Sequence, residues 1–112
     1  MRILKEEKVP NGKLLLVQAN LISIRVKFTS HAEERMKRWS LTKEQVLETL
    51  LYPEEVLRGH HGRFIAHRRY GDHIVRAVYE YEGEIPVVVT VYFPYAKRYY
   101  QGGGWYEDKI LP

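Results

Sequence analysis

The segment Ile85 to Phe93 reads Ile-Pro-Val-Val-Val-Thr-Val-Tyr-Phe and is the most apolar strand-like stretch of the chain. A β-branched run of this length, closed by Pro94, is a strand by composition and by its breaker. Its valines fall on both sides of the pleat, so it belongs near the middle of a sheet with much of both faces covered. Partners for it lie just upstream. Arg63 to Tyr70 and His73 to Tyr81 are two further strands, and Gly71-Asp72 and Glu82-Gly83-Glu84 are the turns of an antiparallel meander. Ile22 to Phe28 alternates apolar and polar residues at the period of a half-buried strand, and Leu14 to Val17 reads as an extra N-terminal strand or arm. Asn11-Gly12 is a turn signal, and Leu57 to Gly62 reads as a loop.

The layer over the sheet comes from Phe28 to Val56. Ser30 is the expected N-cap of a first helix, with Glu33 completing a capping box. Ala32, Met36 and Trp39 recur at helical spacing as one apolar stripe. His31, Arg35 and Arg38 form a second stripe beside it. Thr42 with Gln45 caps a second helix, whose buried face is Val46, Leu47, Leu50 and Leu51 and which Tyr52-Pro53 ends. The expected fold class is therefore α+β. A two-helix hairpin packs on one face of a twisted, mainly antiparallel sheet, with a β-α-α-β-β-β core over 26–95 and an N-terminal extension over 1–25. At 112 residues the chain makes a single domain. Residues 96–112 form a glycine-rich aromatic tail, expected to dock back on its own domain.

With no cysteine, disulfides, iron–sulfur clusters, thiolate zinc sites and cysteine nucleophiles are excluded. No apolar run approaches the ~20 residues of a membrane span, and the N-terminus lacks a signal-peptide core, so no membrane partner and a cytoplasmic location are expected. His60, His61, His67 and His73 lack metal-ligand spacing, and neither a metal nor another cofactor is expected. The net charge of +4 is a mild basic excess, compatible with a phosphate-rich partner.

Lys27-Phe28-Thr29-Ser30-His31-Ala32, followed by Arg35-Met36, opens a pattern of the form His-Ala-x-x-Arg-Met. This resembles a family of small prokaryotic proteins, and the resemblance runs on through Val87-Val88-Val89-Thr90-Val91-Tyr92, covering about residues 26 to 95. That family is grouped with the RelE/ParE-like toxins. The resemblance implies the RelE/ParE-like fold, a role as the toxin of a toxin–antitoxin pair, and RNA and a small antitoxin protein as partners. A homodimer is left open. RelE-like members cleave mRNA and ParE-like members act on gyrase; the long basic helix of many RelE members is missing here.

Metal-free cleavage of RNA needs a proton acceptor for the 2′-hydroxyl, cations on the phosphorane and an acid for the leaving oxygen. Histidine suits either proton role and arginine clamps phosphate by paired hydrogen bonds. The catalytic set expected on this basis is His31, Arg35, Arg76 and Tyr92. Arg38, Arg63, His67, Arg69, Thr90, Lys97 and Arg98 are expected to bind substrate. Each has a plainer role to set against this: His31 on a backbone group, Arg35 in an ion pair, Arg63 and Arg69 on a solvated strand face, Thr90 and Tyr92 in packing. The alternative function is a non-catalytic protein-binding module of the same fold, or an inactive family member. Convergence turns on register: a two-residue Gly83-Glu84 turn sets Arg76 opposite Val91, and a three-residue loop sets it opposite Thr90.

Overall fold

The computed structural model describes residues 1–112. The chain is α+β, with eight strands in one mixed sheet and three short helices. In chain order these are β1 (Arg2–Val9), β2 (Gly12–Ala19), β3 (Ile22–Thr29), α1 (Ser30–Arg38), α2 (Lys43–Leu51), β4 (Glu55–Arg58), β5 (Phe64–Tyr70), β6 (His73–Glu82), β7 (Ile85–Tyr92), α3 (Ala96–Tyr99) and β8 (Trp105–Tyr106). Across the sheet the order is β1-β2-β3-β7-β6-β5-β4-β8, so the valine-rich β7 lies inside it. Neighbours are antiparallel except β3 with β7 and β4 with β8.

Helices α1 and α2 share one core with the sheet. Ala32, Met36, Val46, Leu47 and Leu50 are buried in it, with Phe28, Ala66, Ala77, Val88 and Val91 supplied by the strands. At about 25 cal/mol per Å² of apolar area, this burial is the main stabilising term of the fold. Thr42 and Gln45 form the expected capping box on α2.

Four local expectations are corrected. The N-cap of α1 is Thr29, not Ser30: Thr29 Oγ1 accepts from Ala32 N at 3.0 Å and donates to the Val89 carbonyl at 3.0 Å. That hydroxyl ties the helix start to β7, whereas Ser30 uses its backbone N–H on Asn11 O. Trp39 leaves the apolar stripe because α1 stops at Arg38, and the indole is 40% exposed. The 1–25 extension holds two full strands rather than one strand or arm, β1 turning into β2 at Asn11 (φ 64°), and Gly12 is required there because a Cβ would lie 2.0 Å from Phe28 O. Part of the expected 57–62 loop is strand β4, which Val56 anchors in the core.

Neither expected register is present. Gly83-Glu84 is a two-residue turn, with Glu82 opposite Ile85, but a β-bulge follows. Tyr79 pairs with Val88 while Val78 pairs with Thr90, so Val89 is the extra residue and Arg76 stands opposite Tyr92. The bulge is what brings those two side chains to the same face.

Candidate active site

On the face of the sheet opposite the core residues Ala66, Ala77 and Val91, one cross-strand row runs Glu55, His67, Arg76, Tyr92 across β4, β5, β6 and β7. Its first two members are fully buried. His67 Nδ1 lies 2.6 Å from Glu55 Oε2, and His67 Nε2 lies 2.9 Å from Arg76 Nη1. Arginine can only donate, so Nε2 is the acceptor and the ring carries its proton on Nδ1, facing the carboxylate. Burial holds the His67 pKa below its ordinary value; the Glu55 bond opposes this and the Arg76 charge adds to it. Burial likewise lowers Arg76 from its usual value.

The C-terminal segment covers this row. Gln101 N and Gly103 N donate to the Glu55 carboxylate at 2.9 and 3.0 Å. Gly103 sits at φ 83°, a conformation strained for any residue with a side chain, and a Cβ there would also push on the Tyr100 hydroxyl 2.7 Å away, so glycine is favoured. Tyr99 lays its ring against two guanidinium groups, with Arg76 4.2 Å and Arg98 5.6 Å from its centroid. Beyond Gly104 the chain pairs β8 with β4 and crosses the sheet edge. Asp108 accepts from the Tyr79 and Tyr81 hydroxyls at 2.7 and 2.6 Å, and Leu111 is buried in the core. Burial and the Asp108 carboxylate push both phenols far up.

Where the row reaches Tyr92 it opens into a hollow of ≈ 490 Å³. Arg76 and Arg98 supply its positive charge, and Trp39, Tyr92, Phe93 and Tyr99 supply aromatic wall. A hollow of similar size beside α1 is lined by lysines and glutamates, with Lys13 paired to Glu33 and Lys43 to Glu6, and has no aromatic wall. The first hollow is the one whose chemistry suits an anionic, planar ligand.

Of the residues expected from sequence, Arg76, Tyr92 and Arg98 line the hollow and His67 stands directly behind Arg76. Thr90 is on the same face, two residues before Tyr92, 8% exposed and with its hydroxyl unpartnered. Lys97 lies over the Tyr95 ring at 5.9 Å. Arg69 is engaged by Glu54 at 3.2 Å and stacks on Tyr100, and Arg63 lies 3.4 Å from Glu80. His31, Arg35 and Arg38 do not line the hollow and make no ion pair. Sequence reasoning missed Glu55, Trp39 and Tyr99 as site residues. Tyr99 left a usable signal, since it sits among Lys97, Arg98 and Tyr100 in an alternation of cations and rings.

The fold and this hollow define an α+β protein with a cationic, aromatic-walled site where β6 and β7 meet the end of α1 and the short α3. Residues 28–93 match the family model described as "Domain of unknown function (DUF4258)", and the chain belongs to that family. No curated protein and no solved structure matches it. The matched span holds Trp39, Glu55, His67, Arg76 and Tyr92, whereas Arg98, Tyr99 and the glycine loop over Glu55 lie beyond it. No helix is long and apolar enough to cross a membrane.

Proposed function

We propose that this chain acts on RNA as the toxin of a toxin–antitoxin pair, using the Arg76–Tyr92–Arg98 hollow as a metal-independent phosphodiester site. The observation that carries the reading is the side-by-side placement of Arg76 and Tyr92 in a hollow shared with a second arginine and exposed rings. The arginines clamp a phosphate through paired hydrogen bonds, and the exposed Trp39 indole offers a stacking face to an unpaired base. In cleavage the 2′-oxygen of the RNA loses its proton to water and attacks phosphorus, and the P–O5′ bond breaks as O5′ takes the Tyr92 hydroxyl proton, which solvent restores, leaving a cyclic phosphate and a 5′-hydroxyl. The guanidinium groups offset the charge that builds on the phosphorane, and Tyr92 acts as the proton donor. The Lys27-to-Tyr92 pattern resembles a small prokaryotic family that is grouped with RelE/ParE-like toxins, and that grouping supports the toxin role and a small antitoxin partner.

The test is incubation of purified protein with single-stranded RNA in excess chelator. Cleavage is expected, with Arg76→Ala abolishing it and Tyr92→Phe reducing it by about 10²-fold or more. RNA that binds but stays intact would replace the enzyme with a binding module. Absence of both binding and cleavage, with and without ribosomes, would overturn the reading. A second reading, a non-catalytic protein-binding module, is favoured by the exposure of Trp39, Tyr95, Trp105 and Tyr106. A growth arrest that survives Arg76→Ala but not loss of these rings would support it.

A further inference from the structure

The Glu55–His67 pair is an expensive thing to bury. An apolar pair of similar volume would hold β4 to β5 at least as well, because two polar groups must give up water to sit there. Both side chains nevertheless have no exposure, and every polar atom of the pair is used. The carboxylate has three N–H donors around it, the His67 ring and the backbones of Gln101 and Gly103. The bond to Glu55 leaves Nε2 bare, and a bare Nε2 is what an Arg76 N–H can approach to 2.9 Å. The guanidinium is then fixed from two sides, edge-on by Nε2 and face-on by Tyr99. Only after these constraints does Arg76 meet the hollow.

We infer that Glu55 and His67 are positioning residues for Arg76: the docked C-terminal loop sets the carboxylate, the carboxylate sets the imidazole tautomer, and the tautomer aims the guanidinium into the hollow. The geometry stands by itself, and its consequence for RNA rests on the function proposed above. The device spans the family boundary, since two of the three donors that hold Glu55 come from residues after 93.

The substitution Glu55→Gln tests it in the full chain. A glutamine keeps an oxygen for the Gly103 and Gln101 N–H groups but turns its NH₂ toward Nδ1. The ring must then accept at Nδ1 and carry its proton on Nε2, which sets two donors face to face at Arg76. In ¹⁵N-labelled protein the imidazole nitrogens report the tautomer, and the Arg76 guanidinium resonances report whether that group is held or rotates freely. The parent is expected to show the Nδ1–H tautomer and a held Arg76; Glu55→Gln is expected to show the other tautomer and a free Arg76. Affinity for a short unstructured fluorescein-labelled oligoribonucleotide should fall about tenfold in Glu55→Gln, as for loss of a preorganised charged contact. His67→Gln alone, which places an acceptor near Nε2, should keep most of the parent's affinity, and His67→Leu alone should not. An Nε2–H tautomer in the parent, an Arg76 equally held in Glu55→Gln, or a His67→Leu variant that binds as tightly as the parent each overturns the inference. If Glu55→Gln does not fold, the His67→Gln and His67→Leu pair decides it by the same Arg76 resonances. If the parent fails to bind the oligonucleotide, the RNA reading falls, and the resonances still decide the positioning relay.

Discussion

Two sets of basic residues flank β7, and they are held in opposite ways. His31, Arg35 and Arg38 follow one another along the outer side of α1, solvated or half-solvated, with no ion pair. His67 and Arg76 stand on neighbouring strands, one fully buried and one half-buried, joined to each other and to Glu55. In the helix the spacing is local and free: any three residues at i, i+4 and i+7 share a side. In the sheet the neighbours are assembled by pairing, and each position is over-determined by contacts from other elements. Long side chains in water carry rotamer entropy that a ligand must remove, whereas a clamped guanidinium has surrendered it on folding. The sheet row is thus the preorganised set and the helix stripe is not.

The largest effect expected from breaking this difference is at Glu55. Glu55→Ala strips the partner from His67 Nδ1–H and from the Gln101 and Gly103 N–H groups at once. Leaving those donors buried should cost about 3–5 kcal/mol of stability, read as a lowered urea midpoint. A loss below ~1 kcal/mol would mean that water reaches the row and that it is not preorganised.

Next is Arg76→Ala, whose main effect belongs to the hollow. It should weaken binding of single-stranded RNA by about 2–3 kcal/mol, roughly 30- to 150-fold, in a fluorescence titration at fixed low salt. Leu111→Ala should come close in size but act on folding, about 2 kcal/mol by thermal unfolding, because it opens a void where the C-terminal segment enters the core. That loss should also release Tyr99 from Arg76, so RNA binding should weaken although Leu111 is far along the chain from the hollow.

A smaller effect is the acid dependence of His67. Its pKa is depressed by burial from 6.5, so between that value and the folded one the unfolded chain binds the extra proton. Its contribution to stability is therefore complete above pH 6.5 and is lost as pH falls through the lower, folded value. Stability curves of the parent should slope downward on acidification from pH 6.5 to the folded value, and His67→Gln should remove this part of the slope.

The same difference between helix and sheet governs how much of the molecule is legible in its sequence. Local rules locate α2, its capping box, the β5–β6–β7 meander and the inner place of β7. They place the α1 cap one residue late, because Thr29 and Ser30 are both good caps and the choice is made by the distant Val89 carbonyl. They are blind to the β-bulge, since nothing in the spelling of Val87-Val88-Val89 distinguishes the extra residue from its neighbours. That single residue decides that Arg76 meets Tyr92. Glu55 is hidden for a related reason. Four residues after a helix-ending proline are too few to show a period of two, and a carboxylate there reads as solvated until a loop 46 residues later is found donating to it. Trp39 is misplaced by a helix that ends one residue early.

The smallest expected effects are on α1. His31→Ala, Arg35→Ala and Arg38→Ala should each change stability by less than about 0.5 kcal/mol, since none has a polar partner to lose. Their effect on RNA affinity should stay near threefold or below, roughly the size expected of a solvated charge near a polyanion's path. Raising salt should erase that remainder sooner than it weakens the Arg76 contribution, because the half-buried guanidinium is less screened. The decisive measurement is RNA cleavage by His31→Ala beside Arg76→Ala at matched protein concentration. Retained cutting in the first and none in the second places the chemistry on the sheet. If instead His31→Ala cuts nothing while still binding RNA, the imidazole on α1 takes the proton, and the bound strand must run from the sheet hollow across Trp39 to the start of that helix.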